Sequence, residues 1–332
     1  MRSPILFALA ALPLSAHAQG FASRVIDYSP APGQFVNHSA FNDPSRALGA
    51  PVGGGLLAAD LSSLVTLGGF GGSITLAFDA LVQDDPGNPG GLDFIVYGSS
   101  FYVAGDPERR WAEAGIVEIS LDTNANGLAD DAWYLIPGSA LAHPIALPLP
   151  AAFNGPVLEN AAVFGSGIDS HWGYADVSPT LLLGDMDADN AVDEPTISPG
   201  DFYTLPDDPR TVGVDAGSGG GDAFDIAWAI DAVSGSPANL PAFHFIRITT
   251  GVDRVNGVFG EVSTEIDGVA DVRALAACAA DVNGDGAATP ADFSAWIAAF
   301  NAGTPACDQN GDGDCTPADF SAWIANFNAG CG

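Results

Sequence analysis

Residues 73–79, Ser73-Ile-Thr-Leu-Ala-Phe-Asp, place Ile74, Leu76 and Phe78 on one side and polar or small residues on the other. That is the period of a strand with one face on a core. The same signal returns in 223–231, Ala223-Phe-Asp-Ile-Ala-Trp-Ala-Ile-Asp, with Phe224, Ile226, Trp228 and Ile230 on one face. Leu92-Asp-Phe-Ile-Val-Tyr, Gly115-Ile-Val-Glu-Ile-Ser-Leu and Phe243-His-Phe-Ile-Arg-Ile-Thr-Thr are further strand candidates. Glycine and proline punctuate these runs, and helical periodicity is nearly absent before residue 290. The pattern predicts a mainly β protein, a β-sandwich or jelly roll with long loops. The loop-rich stretch 137–222 reads as an elaboration of one face.

Charge narrows the functional classes. The 332 residues hold 41 acids and nine basic residues, all arginine, for a net charge of -32. Such a surface argues against nucleic acid and against anionic membrane. The absence of lysine removes a Walker-type phosphate loop and Schiff-base chemistry. Arg2, the apolar stretch Ile5 to Leu14 and Ala16-His17-Ala18 read as a signal peptide over 1–18, with an uncleaved anchor as the alternative. No later segment is long enough to span a bilayer. The expected location is therefore extracellular, at the cell surface or periplasmic. All four cysteines, 278, 307, 315 and 331, lie near the C-terminus. An even number in an exported chain predicts two disulfides, with three connectivities open. The region 19–275 has none and must rely on its core.

The segment 276–332 has a different character. Asp281-Val-Asn-Gly-Asp-Gly-Ala-Ala-Thr-Pro-Ala-Asp-Phe-Ser-Ala-Trp-Ile-Ala returns, little changed, from Asp308. Each copy joins an Asp/Asn-rich loop to an amphipathic helix. Phe293, Trp296, Ile297 and Phe300 mark one helix face, and Phe320, Trp323, Ile324 and Phe327 the other. Thr289-Pro290 and Thr316-Pro317 supply helix starts, and Gly303 and Gly330 the stops. The loops carry oxygens at the spacing of an EF-type calcium site. The ligands are Asp281, Asn283, Asp285, Ala287 (carbonyl) and Asp292 in one loop. In the other they are Asp308, Asn310, Asp312, Asp314 (carbonyl) and Asp319.

Two such units in tandem resemble the dockerin module. The resemblance implies Ca2+ as cofactor and a docking partner, a cohesin or another protein. It departs at Pro290-Ala291 and Pro317-Ala318, where cellulosomal dockerins carry small polar recognition residues. Cys307 and Cys315 take loop positions that Ala280 and Ala288 hold in the first copy. Dockerin geometry implies pairing 307–315 and 278–331; spacing alone leaves the connectivity open.

Two more acidic stretches lie upstream. In 122–131 the candidate ligands are Asp122, Asn124, Asn126 and Asp131, and in 185–194 they are Asp185, Asp187, Asp189 and Asp193. Each resembles the short calcium loops of thrombospondin-type repeats, and each also reads as an Asx-rich turn. Across 45–272, Leu67-Gly-Gly-Phe-Gly-Gly-Ser-Ile-Thr-Leu-Ala-Phe-Asp, Trp111-Ala-Glu-Ala-Gly-Ile-Val-Glu-Ile-Ser and Gly260-Glu-Val-Ser-Thr-Glu-Ile-Asp resemble a family of bacterial secreted cell-surface proteins. That resemblance implies a β-sandwich at the cell surface.

Catalysis finds little support. A glycosidase needs two carboxyls across a cleft. Glu113 and Glu118 are expected on opposite faces of one strand, and Glu261 and Glu265 on one face of a strand end. Neither Gly-x-Ser-x-Gly nor His-Glu-x-x-His occurs. Trp111, Trp133, Tyr134, Trp172 and Tyr174 offer faces for sugar stacking or serve the core. The expectation is an exported, calcium-binding, non-catalytic surface or attachment protein linked to polysaccharide. The alternative is a dockerin-bearing glycoside hydrolase or lyase with its site in 137–222.

Overall fold

The structure, a computed structural model, describes residues 20–137, 157–160, 167–169, 175–209, 211–253, 255–256, 260–273, 280–283, 288–310 and 314–329. The expected signal peptide lies outside the described residues. The chain is mainly β. One sheet has five antiparallel strands in the order β1-β3-β12-β7-β8. These are β1 (Arg24–Ser29), β3 (Ser73–Gln83), β7 (Gly115–Ser120), β8 (Trp133–Leu135) and β12 (Ala242–Thr250). A second, also antiparallel, runs β11-β4-β15-β2. It contains β2 (Val65–Thr66), β4 (Phe94–Gly98), β11 (Asp222–Phe224) and β15 (Glu265–Asp271). A smaller sheet joins β5 (Phe101–Tyr102), β6 (Arg109–Trp111), β9 (Val157–Asn160) and β10 (Gly167–Asp169), and β13 (Val255–Asn256) pairs with β14 (Gly260–Glu261).

The two large sheets share one core, as in a β-sandwich. Leu76, Phe78, Val117, Ile119, Phe243 and Ile246 from the first meet Phe94, Val96, Phe224, Ile266 and Val269 from the second. The contact between sheets is aromatic at its centre. Phe94 packs edge-on to Phe243 with ring centroids 5.0 Å apart and stacks on Phe224 at 5.1 Å. The four-stranded sheet is covered on its other face too. Ile95, Tyr97, Ala223 and Ala270 meet Leu181, Phe202 and Tyr203. Segment 175–221 is thus a lid on that sheet, which is why all five residues of β4 are buried. The lid's short helix α1 (Pro199–Phe202) is capped by Ser198, whose hydroxyl accepts from the Asp201 amide.

Strand β15 also closes the sandwich onto its own beginning. Ala22 donates to the Val269 carbonyl at 2.9 Å, and Asp271 donates to the Gly20 carbonyl at 2.7 Å. Phe21 and Ala270 form the antiparallel bridge between them.

Most expected strands form, with one correction. The alternation in 223–231 does not make a strand. β11 stops at Phe224, and Asp225 accepts from the Ala227 amide at 2.7 Å to cap a 3-10 turn over Ile226–Trp228. Asp93 takes the Ile226 amide at 2.8 Å and holds that turn down. In β3 the alternation is blurred, since Thr75 and Ala77 are buried along with Ile74, Leu76 and Phe78.

Residues 280–329 hold the helices α2 (Pro290–Ala302) and α3 (Pro317–Ala329). Thr289 and Asp292 form a capping box at the start of α2, and Gly303 ends it in the left-handed region at φ 64°. Trp296 and Trp323 are buried with Cys307. The expected apolar faces are split. Phe293 is 36% exposed, Ile297 41%, Phe320 38% and Ile324 40%. Two short helices enclose room for the indoles but not for all four apolar residues of each stripe.

Phe94→Ala should cost about 3–5 kcal/mol, because it opens a cavity where both sheets meet. Val233→Ala, at a side chain 98% exposed, should change little. Urea unfolding of the two variants against the parent measures both.

Candidate cation sites

The loop at 185–194 sits on the lid. Asp185 is buried, and its Oδ1 accepts from Asp189 N at 3.2 Å and its Oδ2 from Asn190 N at 3.0 Å. Asp193 Oδ2 accepts from Met186 N at 2.9 Å. The loop curls because Ala188 and Asn190 take left-handed backbone, at φ 57° and 71°. Asp185, Asp187 and Asp193 each offer a carboxylate oxygen, all within 4.8 Å of one another. Asp189 is not in that trio; its Oδ1 accepts from Ala191 N at 2.8 Å. The loop is tied to the rest of the lid's surroundings through Asn190, whose Oδ1 accepts from Leu56 N at 2.9 Å. Gly55 permits this approach: a Cβ there would lie 2.2 Å from that oxygen.

The loop at 122–131, between β7 and β8, has the same frame. Asp122 accepts from Asn126 N at 3.1 Å and Gly127 N at 2.7 Å. Left-handed backbone recurs at Ala125 (φ 56°) and Gly127 (φ 74°), three and five residues after the first aspartate as in the other loop. The chemistry inside differs. Asn124 Nδ2 reaches Asp131 Oδ2 at 3.4 Å, and Asn126 Nδ2 reaches Asp130 at 3.2 Å. Amides answer carboxylates here, whereas the 185–194 loop gathers like charges. His244, one of the scattered histidines, accepts the Asp122 amide on Nδ1 at 3.2 Å and anchors the loop to β12.

In the tail, the last carboxylate of each loop is fully buried. Asp292 Oδ1 accepts from Val282 N at 2.9 Å and Asn283 N at 3.1 Å, and Oδ2 from Thr289 N at 2.8 Å. Asp319 repeats this with Gln309 N (3.0 Å), Asn310 N (3.3 Å) and Thr316 N (2.7 Å). Burial pushes both acids up, but the converging amides outweigh it and hold them below the usual carboxylate range. The two units also exchange indole bonds. Trp296 Nε1 donates to the Cys307 carbonyl and Trp323 Nε1 to the Ala280 carbonyl, each at 3.1 Å. Cys307 and Cys315 form a disulfide. Asp281, Asn283, Asp308, Asn310 and Asp314 lie along the described parts of the loops; Asp285, Ala287, Asp312, Cys278 and Cys331 lie outside the described residues.

Sequence reading missed two groupings. Asp84, Asp93 and Asp225 bring carboxylate oxygens within 4.8 Å of one another. Asp93 is buried and lifted to about 7, chiefly by loss of water, with Asp225 adding repulsion. Its one visible signal is an acid inside the apolar run 92–97. The second grouping is Glu113, Asp176 and Glu265, all buried. Burial and mutual repulsion raise Glu113 and Asp176 well above the carboxylate range. Glu113 accepts from Gln34 Nε2 at 2.6 Å, and Asp176 from the amides of Ser99 (2.7 Å) and Glu265 (3.0 Å).

These positions correct two expectations. Glu113 precedes β7 instead of sharing it with Glu118, which pairs with Arg247 at 2.7 Å. Glu261 and Glu265 fall on different strands, β14 and β15. The aromatics are also engaged. Trp111 stacks on Phe101, and Trp133 lies under the Arg247 guanidinium at 4.3 Å. Trp172 and Tyr174 lie outside the described residues.

Donors made only of oxygen, crowded and negative, fit a hard divalent cation. Among the described residues the trio at 185–193 fits best, and no helix is long and apolar enough to cross a membrane.

Buried acids set a pH dependence. Burial raises Asp222 and Asp267 to about 7 and Asp207 to about 8. The folded state therefore holds protons that the unfolded chain, titrating near 4, has released. Stability from these groups is full below about 4 and is lost as the pH rises through 7–8. In chelator the protein should melt higher at pH 5 than at pH 8. Millimolar calcium should raise the melting temperature at either pH by binding the folded loops. Scanning fluorimetry at both pH values, with and without calcium, reads the two effects.

Comparison with known proteins identifies no family: no family model matches the chain, and no curated protein matches it.

Proposed function

We propose that this chain is an exported, calcium-binding, non-catalytic surface or attachment protein whose C-terminal module docks it to a protein partner. In this reading the module is dockerin-like, the partner is a cohesin or another protein, and the sandwich handles or binds polysaccharide. The observation that supports it most is the equivalence of the two tail units. Asp292 and Asp319 gather corresponding amides, and Trp296 and Trp323 each bond to the backbone just before the other unit's loop. A duplicated sequence that folds into matched loops around oxygen donors is what a paired calcium module requires. The gathered carboxylates of Asp185, Asp187 and Asp193 support a further ion on the lid.

The rival reading is a glycoside hydrolase. Glu113 and Glu265 come together, but both are buried, so a sugar chain would need the strands around them to part.

Calorimetric titration of the purified protein with calcium tests the proposal. Asp281→Ala and Asp308→Ala should each remove one site, and Asp185→Ala another, because each takes an oxygen from around a +2 ion. An unchanged calcium stoichiometry in the Asp281→Ala/Asp308→Ala double variant would refute the paired module. Incubation with polysaccharides should release no reducing sugar; release that Glu113→Gln abolishes in a folded protein would install the hydrolase reading instead.

A further inference from the structure

Glu113, Asp176 and Glu265 reach one place from three parts of the chain: the approach to β7, the root of the lid and the first residue of β15. Asp176 is the tie between them. Its Oδ1 accepts from Ser99 N at 2.7 Å and its Oδ2 from Glu265 N at 3.0 Å, while its carbonyl accepts from Glu113 N at 3.2 Å. It sits in left-handed backbone at φ 61°, and Gly98 makes room for its carboxylate: a Cβ there would lie 2.5 Å from Oδ1. Glu113 Oε1 accepts from Gln34 Nε2 at 2.6 Å and from Ser263 N at 3.4 Å. Both Asp176 oxygens are taken by amides, which leaves Glu113 and Glu265 to carry the protons that so close a group of buried acids needs. Other charges face the cluster. Asp222 of β11 accepts from Val177 N at 2.9 Å and adds repulsion to Asp176. Arg110 of β6 donates to the Val177 carbonyl at 3.3 Å and to the Ser178 hydroxyl at 2.9 Å, and its charge acts on Asp222 and on Asp207 of the lid.

We propose that this cluster is a proton-held joint: with Glu113 and Glu265 protonated it clamps the root of the lid to both large sheets, and when those protons leave, segments 112–115, 175–178 and 263–265 part locally while the main core stays closed. Like charges left inside would face one another and Asp176 without water to screen them. Opening brings water to them. The local packing permits it. Ala112, Ala114, Val177, Val252 and Val262 form an apolar cluster of their own with Trp111, separate from the core that joins the two sheets. Parting these small side chains exposes far less apolar surface than parting Phe94 from Phe243, so opening here precedes global unfolding. Burial, with repulsion from Glu265 and Asp176, lifts Glu113 well above the carboxylate range, and burial lifts Glu265 to about 7. An opened joint returns both to about 4. The advantage of the closed form is therefore full below about 4 and is lost as the pH climbs through the folded values.

Amide hydrogen exchange of the full chain, read by mass spectrometry at pH 5, 6 and 7 in chelator, follows the joint. After correction for the intrinsic exchange rate of each peptide, exchange in segments 111–116, 175–181 and 260–266 should rise about tenfold per pH unit for each proton released on opening. Segments 73–83 and 242–250, the central strands of the five-stranded sheet, should stay slower throughout. Glu113→Gln/Glu265→Gln puts a neutral side chain of the same shape at both positions. It should cut the rise in the three joint segments by at least about tenfold per pH unit. Circular dichroism at pH 5 checks that the variant is folded. The single variants Glu113→Gln and Glu265→Gln repeat the reading with one acid each, so a double variant that fails to fold leaves the test intact. An equal rise in the parent and the folded variants would overturn the proposal. So would exchange of the joint segments in step with 73–83, which would mean that they open only when the whole sandwich unfolds.

Discussion

With 41 acids against nine arginines, this chain cannot neutralise its carboxylates from its own side chains. The structure answers with backbone amides. Asp93, Asp122, Asp176, Asp185, Asp292 and Asp319 each gather two or more N–H groups, and nearly every one of these acids fixes the path of a loop. A carboxylate that accepts several amides is an organising centre as well as a charge. Where carboxylates instead meet each other, as in Asp185, Asp187 and Asp193, an external cation would relieve the repulsion. The acidity that marks the composition therefore goes three ways: into turns, into interior acids that burial raises above the usual carboxylate range, and into carboxylate groups that could hold a metal ion.

How much of this was legible before the structure depends on whether the deciding partner is near in sequence. β7 and β12 follow their written alternation because each pairs over its full length with neighbours of the same pattern. The 226–228 turn was hidden because its cause is long-range: Asp93 captures the Ile226 amide from another strand. The same distance concealed the grouping of Asp84, Asp93 and Asp225, which come from three separate segments, and of Glu113 with Asp176 and Glu265. By contrast, the grouping of Asp185, Asp187 and Asp193 could be read directly, since its carboxylates and the left-handed residues lie within one short loop. The helix stripes were half right. Spacing identified Trp296 and Trp323 as inward, but spacing carries no information on how much interior two short helices can enclose.

The lid ties these observations together. It buries the outer face of the four-stranded sheet through Leu181, Phe202 and Tyr203 and carries the 185–194 loop on the same segment. The carboxylate trio is thus joined through a short stretch of chain to the packing of a central strand, β4. A cation bound there would act on the stability of the sheet and not only on the loop that holds it.

The pairing of residues 20–22 with 269–271 has a mechanical consequence. The two ends of the sandwich leave side by side, from the same edge of an antiparallel ladder. A pull between the segment before Gly20 and the segment after Arg273 loads the bonds of Arg273 to Thr204 and of Val272 to Asp93, then the Gly20–Asp271 bond, and reaches the Ala22–Val269 bond only once those have parted. Tension is carried one bond at a time, as along a zip, so the sandwich opens from its ends under load even though its aromatic centre stays closed.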